Sequence, residues 1–472
     1  MAQKPIMDEH IEITETDQAN NIVATYITSG ENGSRIDVVI PRNSNSYARS
    51  ILSAFLPAGY PHSVTSDYLE YQVYDSLQAF SSSIAGMLSS RAVLEGIGVG
   101  DSGASPTAAL LLSVLQESMG RIATILFAHR LGTSLEPECK MYRLAADIFN
   151  DAAMVLDCLS PALPKASRVG LLSLSSVLRS LCGVAAGSSK ASLSAHFATQ
   201  GNLGELNAKD SSQETIISLM GMLAGSVVVS HISSKWATWT ALTFLLAIHL
   251  GTNYLAVRAV CMRTLNRQRA NLALSAVLDR VEEAGHSHLK RKSALEKING
   301  PTPDGVRLQE RVFERDGVLR WGGKVLGYCR IGVSLQTLLK SFGGRNRVTG
   351  SYGQTQDFGR LLEIFGRVNY IIWYDEPSKT FLIVLEDGVE PTSELHAWMF
   401  ALYYAKYGRK KDETVLAALQ RTLNEVRVSS FDILQHLKKF GWDLETSALE
   451  THSGTRITRP DPSEDTGPRD KY

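Results

Sequence analysis

Apolar and polar positions divide the chain into segments of different texture. Residues 1–50 are polar, with two short β-forming runs at 22–28 and 36–40 that predict either a hairpin or frayed chain. From about 72 to 260, Ala, Ser, Gly, Leu and Val dominate and charge is sparse. Six helical stretches follow one another there, at roughly 72–98, 106–129, 142–161, 168–196, 214–232 and 236–257. Turn-forming segments such as GIGVGDSGASP and SPALPK separate them. A span needs about 20 mostly apolar residues to cross a bilayer core of about 30 Å. The fifth and sixth stretches meet that standard best. The fifth, IISLMGMLAGSVVVSHI, is free of charge but for His231, and the sixth, ATWTALTFLLAIHLGTNYLAV, holds only His249. Trp236 and Trp239 stand at one end of the sixth, where interfacial aromatics belong.

Beyond residue 260 the chain turns ionic. A charged amphipathic helix over 271–298 predicts a basic linker occupying 261–300. Residues 301–446 predict a small α+β domain, with a hairpin at 370–374 and 380–385 and helices at 391–407, 411–425 and 429–440. Residues 447–472, rich in Thr, Pro, Asp and Arg, have the composition of a disordered tail. The expected fold is therefore mainly α: a polytopic membrane bundle of about six spans over 51–260, then the α+β domain.

Composition removes several classes of function. Lys+Arg and Asp+Glu both total 48, so no net charge points to nucleic acid. The five cysteines form no CxxC pair, which argues against a zinc site or a disulfide framework. The N-terminal segment shows neither an apolar signal core nor an Arg/Ser-rich transit composition. Gly96, Gly98 and Gly100 match neither the P-loop nor the dinucleotide spacing. His286 and His288, with Glu282 one turn before, are two apart on a helix and do not face each other. No HExxH, GxSxG or kinase signature occurs, so no catalytic, cofactor or metal residue is assigned and a non-enzymatic role is expected.

Charges within the first four stretches leave a water-soluble helical bundle open as an alternative. Two patterns favour the membrane. Gly183 with Gly187 and Gly221 with Gly225 form GxxxG pairs, which let helices approach closely in a bilayer. Arg130, Lys140, Arg143, Lys190, Lys209, Arg258, Arg263, Arg267 and Arg269 would all fall on one side of a six-span arrangement, and only Lys165, Arg168 and Lys235 on the other. That asymmetry predicts both termini inside. The charges inside the spans then become the candidate chemistry: Glu117 with Arg121, Asp147 with Asp151, and Arg179. The first two pairs are spaced i,i+4 on one helix face. Such groups line a polar cavity or form an interhelical ion network, for example Asp147 or Asp151 with Arg179, because a bare charge at the bilayer centre costs at least about 2.5 kcal/mol.

The stretches FLPAGYPHSVTSDYLEYQVYDSLQAFSSSIAGML, AVLEGIGVGD, GRIATILFAHRLG, KMYRLAADIFNDAAMVLDCLSP and NAKDSSQETIISLMG resemble the root UVB-sensitive (RUS) family in order and spacing. The resemblance covers about residues 50–260 and continues loosely beyond. It implies roles in UV-B response and vitamin B6 homeostasis, and assembly with another chain of the family. It carries over no catalytic residues. The six stretches also resemble one half of a major facilitator transporter. Arg130-Leu131-Gly132 fits the motif of its second loop, although His129 and Ile125 replace the expected Asp and Gly. The expected function is that of an integral membrane protein of small-molecule homeostasis, partnered by lipid, a second family chain and a small ligand. The alternatives are a transporter with a polar intramembrane cavity, or a soluble helical adaptor.

Overall fold

The computed structural model describes residues 12–16, 22–29, 35–39, 55–97, 105–283, 299–343, 352 and 355–459. His286, His288 and residues 460–472 of the expected tail lie outside them. The chain divides into two units, Met1–Gly120 with Ala146–Val260, and Arg121–Ala145 with Cys261–Tyr472.

In the first unit, β1 (Glu12–Thr16), β2 (Ile22–Ser29) and β3 (Arg35–Val39) form an antiparallel sheet in that order. The expected hairpin thus gains β1 as a third strand. Six helices follow, the stretch from Arg121 of α2 to Ala145 of α3 being counted with the second unit: α1 (Tyr68–Ile97), α2 (Pro106–Leu131), α3 (Cys139–Leu159), α4 (Lys165–Phe197), α5 (Leu203–His231) and α6 (Lys235–Ala259). Four of them, α2, α4, α5 and α6, are long and apolar enough to cross a membrane. The other two hold charge that lowers their hydropathy, and they bury part of it. On α1 the buried residues include Gln72, Asp75, Gln78, Ser81 and Ser89, and on α3 Asp147, Asp151 and Asp157.

Packing in this unit centres on α1, which lies against α5 and α6. Ala85 and Leu88 meet Met154, Leu242 and Leu246 in a small apolar core. The two GxxxG pairs have different roles. A Cβ on Gly221 would come within 2.6 Å of Ser83 Cβ and 2.9 Å of the Phe80 carbonyl oxygen, and one on Gly225 within 3.2 Å of Ile84 Cα. Those two glycines let α5 press against α1. A Cβ on Gly183 or Gly187 would meet nothing within 4 Å, so that pair makes no close helix contact among the described residues. Arg91, one of the charges that weakened the first stretch, donates to the carbonyls of Val229 and Ile232 at 3.1 and 2.6 Å. It therefore serves as a cap on the C-terminus of α5.

The second unit is an α+β domain around a mixed sheet of β4 (Val318–Trp321), β5 (Lys324–Ile331), β7 (Thr380–Glu386) and β6 (Tyr370–Asp375), in that order, with β8 (Arg456–Ile457) beside β7. β6 and β7 pair antiparallel from Tyr370↔Leu385 to Asp375↔Thr380, the hairpin expected from the sequence. α7 (Arg267–Glu283), α11 (Pro391–Tyr407) and α12 (Val415–Lys439) pack with the sheet around Trp398, Phe400 and Ile383. Three short helices, α8 (Pro303–Arg307), α9 (Leu335–Phe342) and α10 (Thr355–Ile364), complete the unit.

Three expectations need correction here. α7 packs one face into the core of the α+β domain, whereas the sequence suggested a basic amphipathic linker. Its Arg267, Gln268, Arg269 and Asn271 are all buried, because each finds a partner. Asn271 donates to the Val318 carbonyl at 2.7 Å and accepts from Trp398 Nε1 at 2.9 Å. α12 is one helix where two were expected, since the residues between 425 and 429 have no breaker. Residues 447–459 are ordered, with Leu449 in the core and β8 on the sheet edge.

The same unit contains an ion network. Glu310 Oε2 accepts from Lys140 Nζ at 2.5 Å and Oε1 from Arg269 Nη1 at 2.7 Å, with all three side chains buried. Burial alone would push the Glu310 carboxyl up, but the two cations outweigh it and hold it below the usual carboxylate range. Arg267 pairs with Glu138 at 3.3 Å and with Asp316. Lys140, Arg267 and Arg269, counted above as loop charges, are thus buried partners of acidic groups.

Candidate functional site

The polar residues of α1, α3 and α6 meet inside the first unit. On α1, Tyr71, Asp75, Gln78 and Ser81 recur at three- and four-residue steps, and Ser89 lies about two turns further along, a buried polar stripe on one face of the helix. On α3, Asp147 and Asp151 share a face, and on α6 so do Leu242, Leu246, His249 and Asn253. These three stripes converge.

At the centre lies His249, whose side chain is 1% exposed. Its Nδ1 is 2.6 Å from Asp151 Oδ1, and its Nε2 is 3.4 Å from Asp147 Oδ2 and 3.2 Å from Gln78 Nε2. Asp147 Oδ2 also accepts from Gln78 Nε2 and from Asn253 Nδ2, each at 2.5 Å. One imidazole therefore stands between two buried carboxylates, and amide donors from two further helix positions hold one of them. A neutral ring has a single N–H, so it cannot donate to both carboxylates at once. The arrangement can hold a proton or a cationic group. Among the described residues no cluster is arranged to hold a metal ion.

A second cluster lies farther along α3. Asp157 Oδ2 pairs with Arg179 and accepts from Ser89 at 2.9 Å, while Oδ1 accepts from Ser175 at 2.6 Å. Arg179 thus finds Asp157 and neither of the two aspartates suggested for it. Six residues separate Asp151 from Asp157, about 9 Å along a helix axis, and α4 meets α3 at the later position. On α4 and α5, Lys190 pairs with Asp210 at 2.8 Å and Glu214 at 2.6 Å. Glu117 and Arg121 remain exposed on α2.

Of the expected site residues, the structure brings together Asp147 and Asp151, sets Arg179 in a separate pair, and leaves Glu117 and Arg121 outside the buried clusters. His249, Gln78 and Asn253 were not among those expected. The signal for them was present: His249 and Asn253 are i,i+4 in the stretch otherwise freest of charge, and Gln78 lies on the polar stripe of α1.

Comparison with known proteins bears on this helical region directly. The sequence profile of the vitamin B6 photo-protection and homoeostasis domain matches residues 41–280. The chain belongs to this family. RUS family member 1 of Dictyostelium discoideum is 40% identical over 268 residues, 55% of this chain and 51% of that protein. Protein root UVB sensitive 3 of Arabidopsis thaliana is 39% identical over 240 residues, 50% of this chain and 54% of that protein. The match spans about half the length of these two relatives. Protein root UVB sensitive 2, chloroplastic, of the same plant is 25% identical over 418 residues, 86% of this chain and 84% of that protein. No solved structure matches the chain. The family match ends within α7, so it includes the helix that bears Arg267, Arg269 and Asn271 as well as the six preceding helices.

Proposed function

We propose that this RUS-family chain is a multi-pass membrane protein, with α1–α6 as six spans and both termini on one side, that acts without catalysis in vitamin B6 homeostasis. Its inside-out polarity carries this reading. Leu111, Val114, Ile122, Ile125 and Leu126 of α2 are 54–67% exposed, as are Leu223 and Val227 of α5 and Phe244 of α6. Asp147, Asp151, Asp157, His249 and Asn253 are buried. A water-soluble bundle hides its large apolar side chains and keeps unpaired charge outside. Here many large apolar residues of α2, α5 and α6 face outward, while aspartates, a histidine and an asparagine lie in the interior. Trp236, 86% exposed at the start of α6, suits an interfacial position. By likeness to its relatives, the chain works in a homo- or heteromeric assembly with another family chain and contributes to UV-B-linked responses.

The buried carboxylate pair favours a second reading, a transporter in which this polar centre lies on the solute path. Two copies of a six-helix unit would then supply the two halves of a facilitator-like pathway. Reconstitution into lipid vesicles separates the readings, with uptake of labelled pyridoxine as the measurement. A transporter carries pyridoxine into vesicles, and Asp147→Asn abolishes the flux while inserting as well as the wild type. Insertion without pyridoxine flux in the wild type leaves the first reading and removes the second for this solute.

A further inference from the structure

Asp151 is 5% exposed, and its two oxygens differ. Oδ1 lies 2.6 Å from His249 Nδ1, while Oδ2 is buried with no hydrogen-bond partner among the described residues. The other buried aspartates nearby are better supplied: Asp157 has Arg179 and two serine hydroxyls, and Asp147 has two amide donors. A buried carboxylate that leaves one oxygen bare is expensive unless a proton or cation reaches it. The ring beside it also faces Asp147 through its other nitrogen, so its charge is claimed from both sides. Around the pair, α1 presents Asp75 and Gln78, α3 presents Asp147 and Asp157, α6 presents His249, and α4 supplies Arg179 to Asp157. Lys190, which bridges α4 and α5, is engaged by Asp210 and Glu214.

We propose that Asp151 and His249 form an exchangeable-proton site, whose ligand is the proton itself: Asp151 Oδ2 receives it while Oδ1 stays hydrogen-bonded to His249 Nδ1. The step makes the Oδ2–H bond and breaks one O–H bond of a hydronium ion, which leaves as water. In the protonated state the bare oxygen becomes a hydroxyl and the cluster loses one negative charge. In the deprotonated state Asp147 and Asp151 are both ionised, and the single N–H of a neutral His249 can serve only one of them. Protonation thereby biases the packing of α3 against α6. The site rests on the reading of these helices as membrane spans only for its consequence, proton-linked movement of the bundle, and not for its existence.

The test is pH-difference infrared spectroscopy of the full chain purified in detergent, with isotope-labelled histidine. The wild type is expected to show a carboxyl band and an imidazole band that titrate together. Asp151→Asn should remove the carboxyl band and leave the imidazole titrating alone, at a shifted midpoint. Asp157→Asn should leave both bands unchanged, because that carboxylate belongs to Arg179. Should Asp151→Asn fail to fold, His249→Gln decides: a shift of the carboxyl midpoint supports the pair, and an unchanged midpoint overturns it. Loss of the carboxyl band on adding sodium at constant pH would overturn the proton as ligand in favour of a metal cation. Because the spectra are read in detergent, coupled titration in a protein that carbonate strips from membranes would sink the membrane reading alone. A carbonate-resistant protein without coupled bands would sink the proton site alone.

Discussion

At the scale of single residues, the second unit shows how burial sets the behaviour of a polar group. His396 on α11 lies against Tyr370, whose hydroxyl is 2.5 Å from Nδ1. Burial, with Arg427 nearby, pushes the imidazole down from the ordinary 6.5 to about 4. Between those values the unfolded chain binds a proton that the folded chain refuses. Stability therefore rises with pH across that window and is lost as pH falls from about 6.5 toward 4. Urea unfolding of the wild type and His396→Gln at several pH values checks this. The wild type should lose more stability than the variant on acidification, and equal slopes would show that His396 keeps its proton affinity on folding. The residue level was only partly legible in the sequence. The i,i+4 spacing of Asp147 and Asp151 announced a shared face, and both are buried together. The same rule applied to Glu117 and Arg121 predicted a shared face but says nothing of burial, and both are exposed. The partner of Arg179 depends on where two helices cross, which no local spacing records.

Among whole elements, the close approach of α5 to α1 depends on two glycines. Gly221→Ala would drive a methyl into Ser83 and the Phe80 carbonyl, neither of which can give way without moving the α1 backbone. A loss of about 1–3 kcal/mol is expected, typical of overpacking. Gly183→Ala meets open space on α4 and gains helix propensity of up to about 1 kcal/mol, so it should be neutral or stabilising. Thermal unfolding in detergent separates them; equal effects would mean that the α1–α5 contact is not as close as described. From sequence the two GxxxG pairs look alike, and only the neighbouring helix distinguishes them. α7 teaches a similar lesson. Arg267 and Arg269 read from sequence as charges beside the last span, but Glu138, Glu310, Asp316 and the Val318 carbonyl lie far away along the chain, and they turn these residues and Asn271 inward. The β6–β7 hairpin, by contrast, was legible because its apolar runs and Pro377-containing turn are local.

For the molecule as a whole, the six helical stretches were visible as runs of low charge, but their hydropathy understates the case for a bilayer. α1 and α3 fall short of membrane composition because of their charges, yet the aspartates of α3 point inward, where His249, Asn253, Arg179 and the serines of α1 and α4 receive them. Average hydropathy cannot tell an inward charge from an outward one, and the side chains exposed on α2, α5 and α6 can. The central claim is that these apolar surfaces face lipid. Carbonate extraction of cell membranes, with protease protection of tags at both termini, tests it most directly. The protein should remain in the membrane pellet, with both tags shielded or both cleaved from the same side. Release into the supernatant would contradict the claim, and tags on opposite sides would contradict the six-span arrangement.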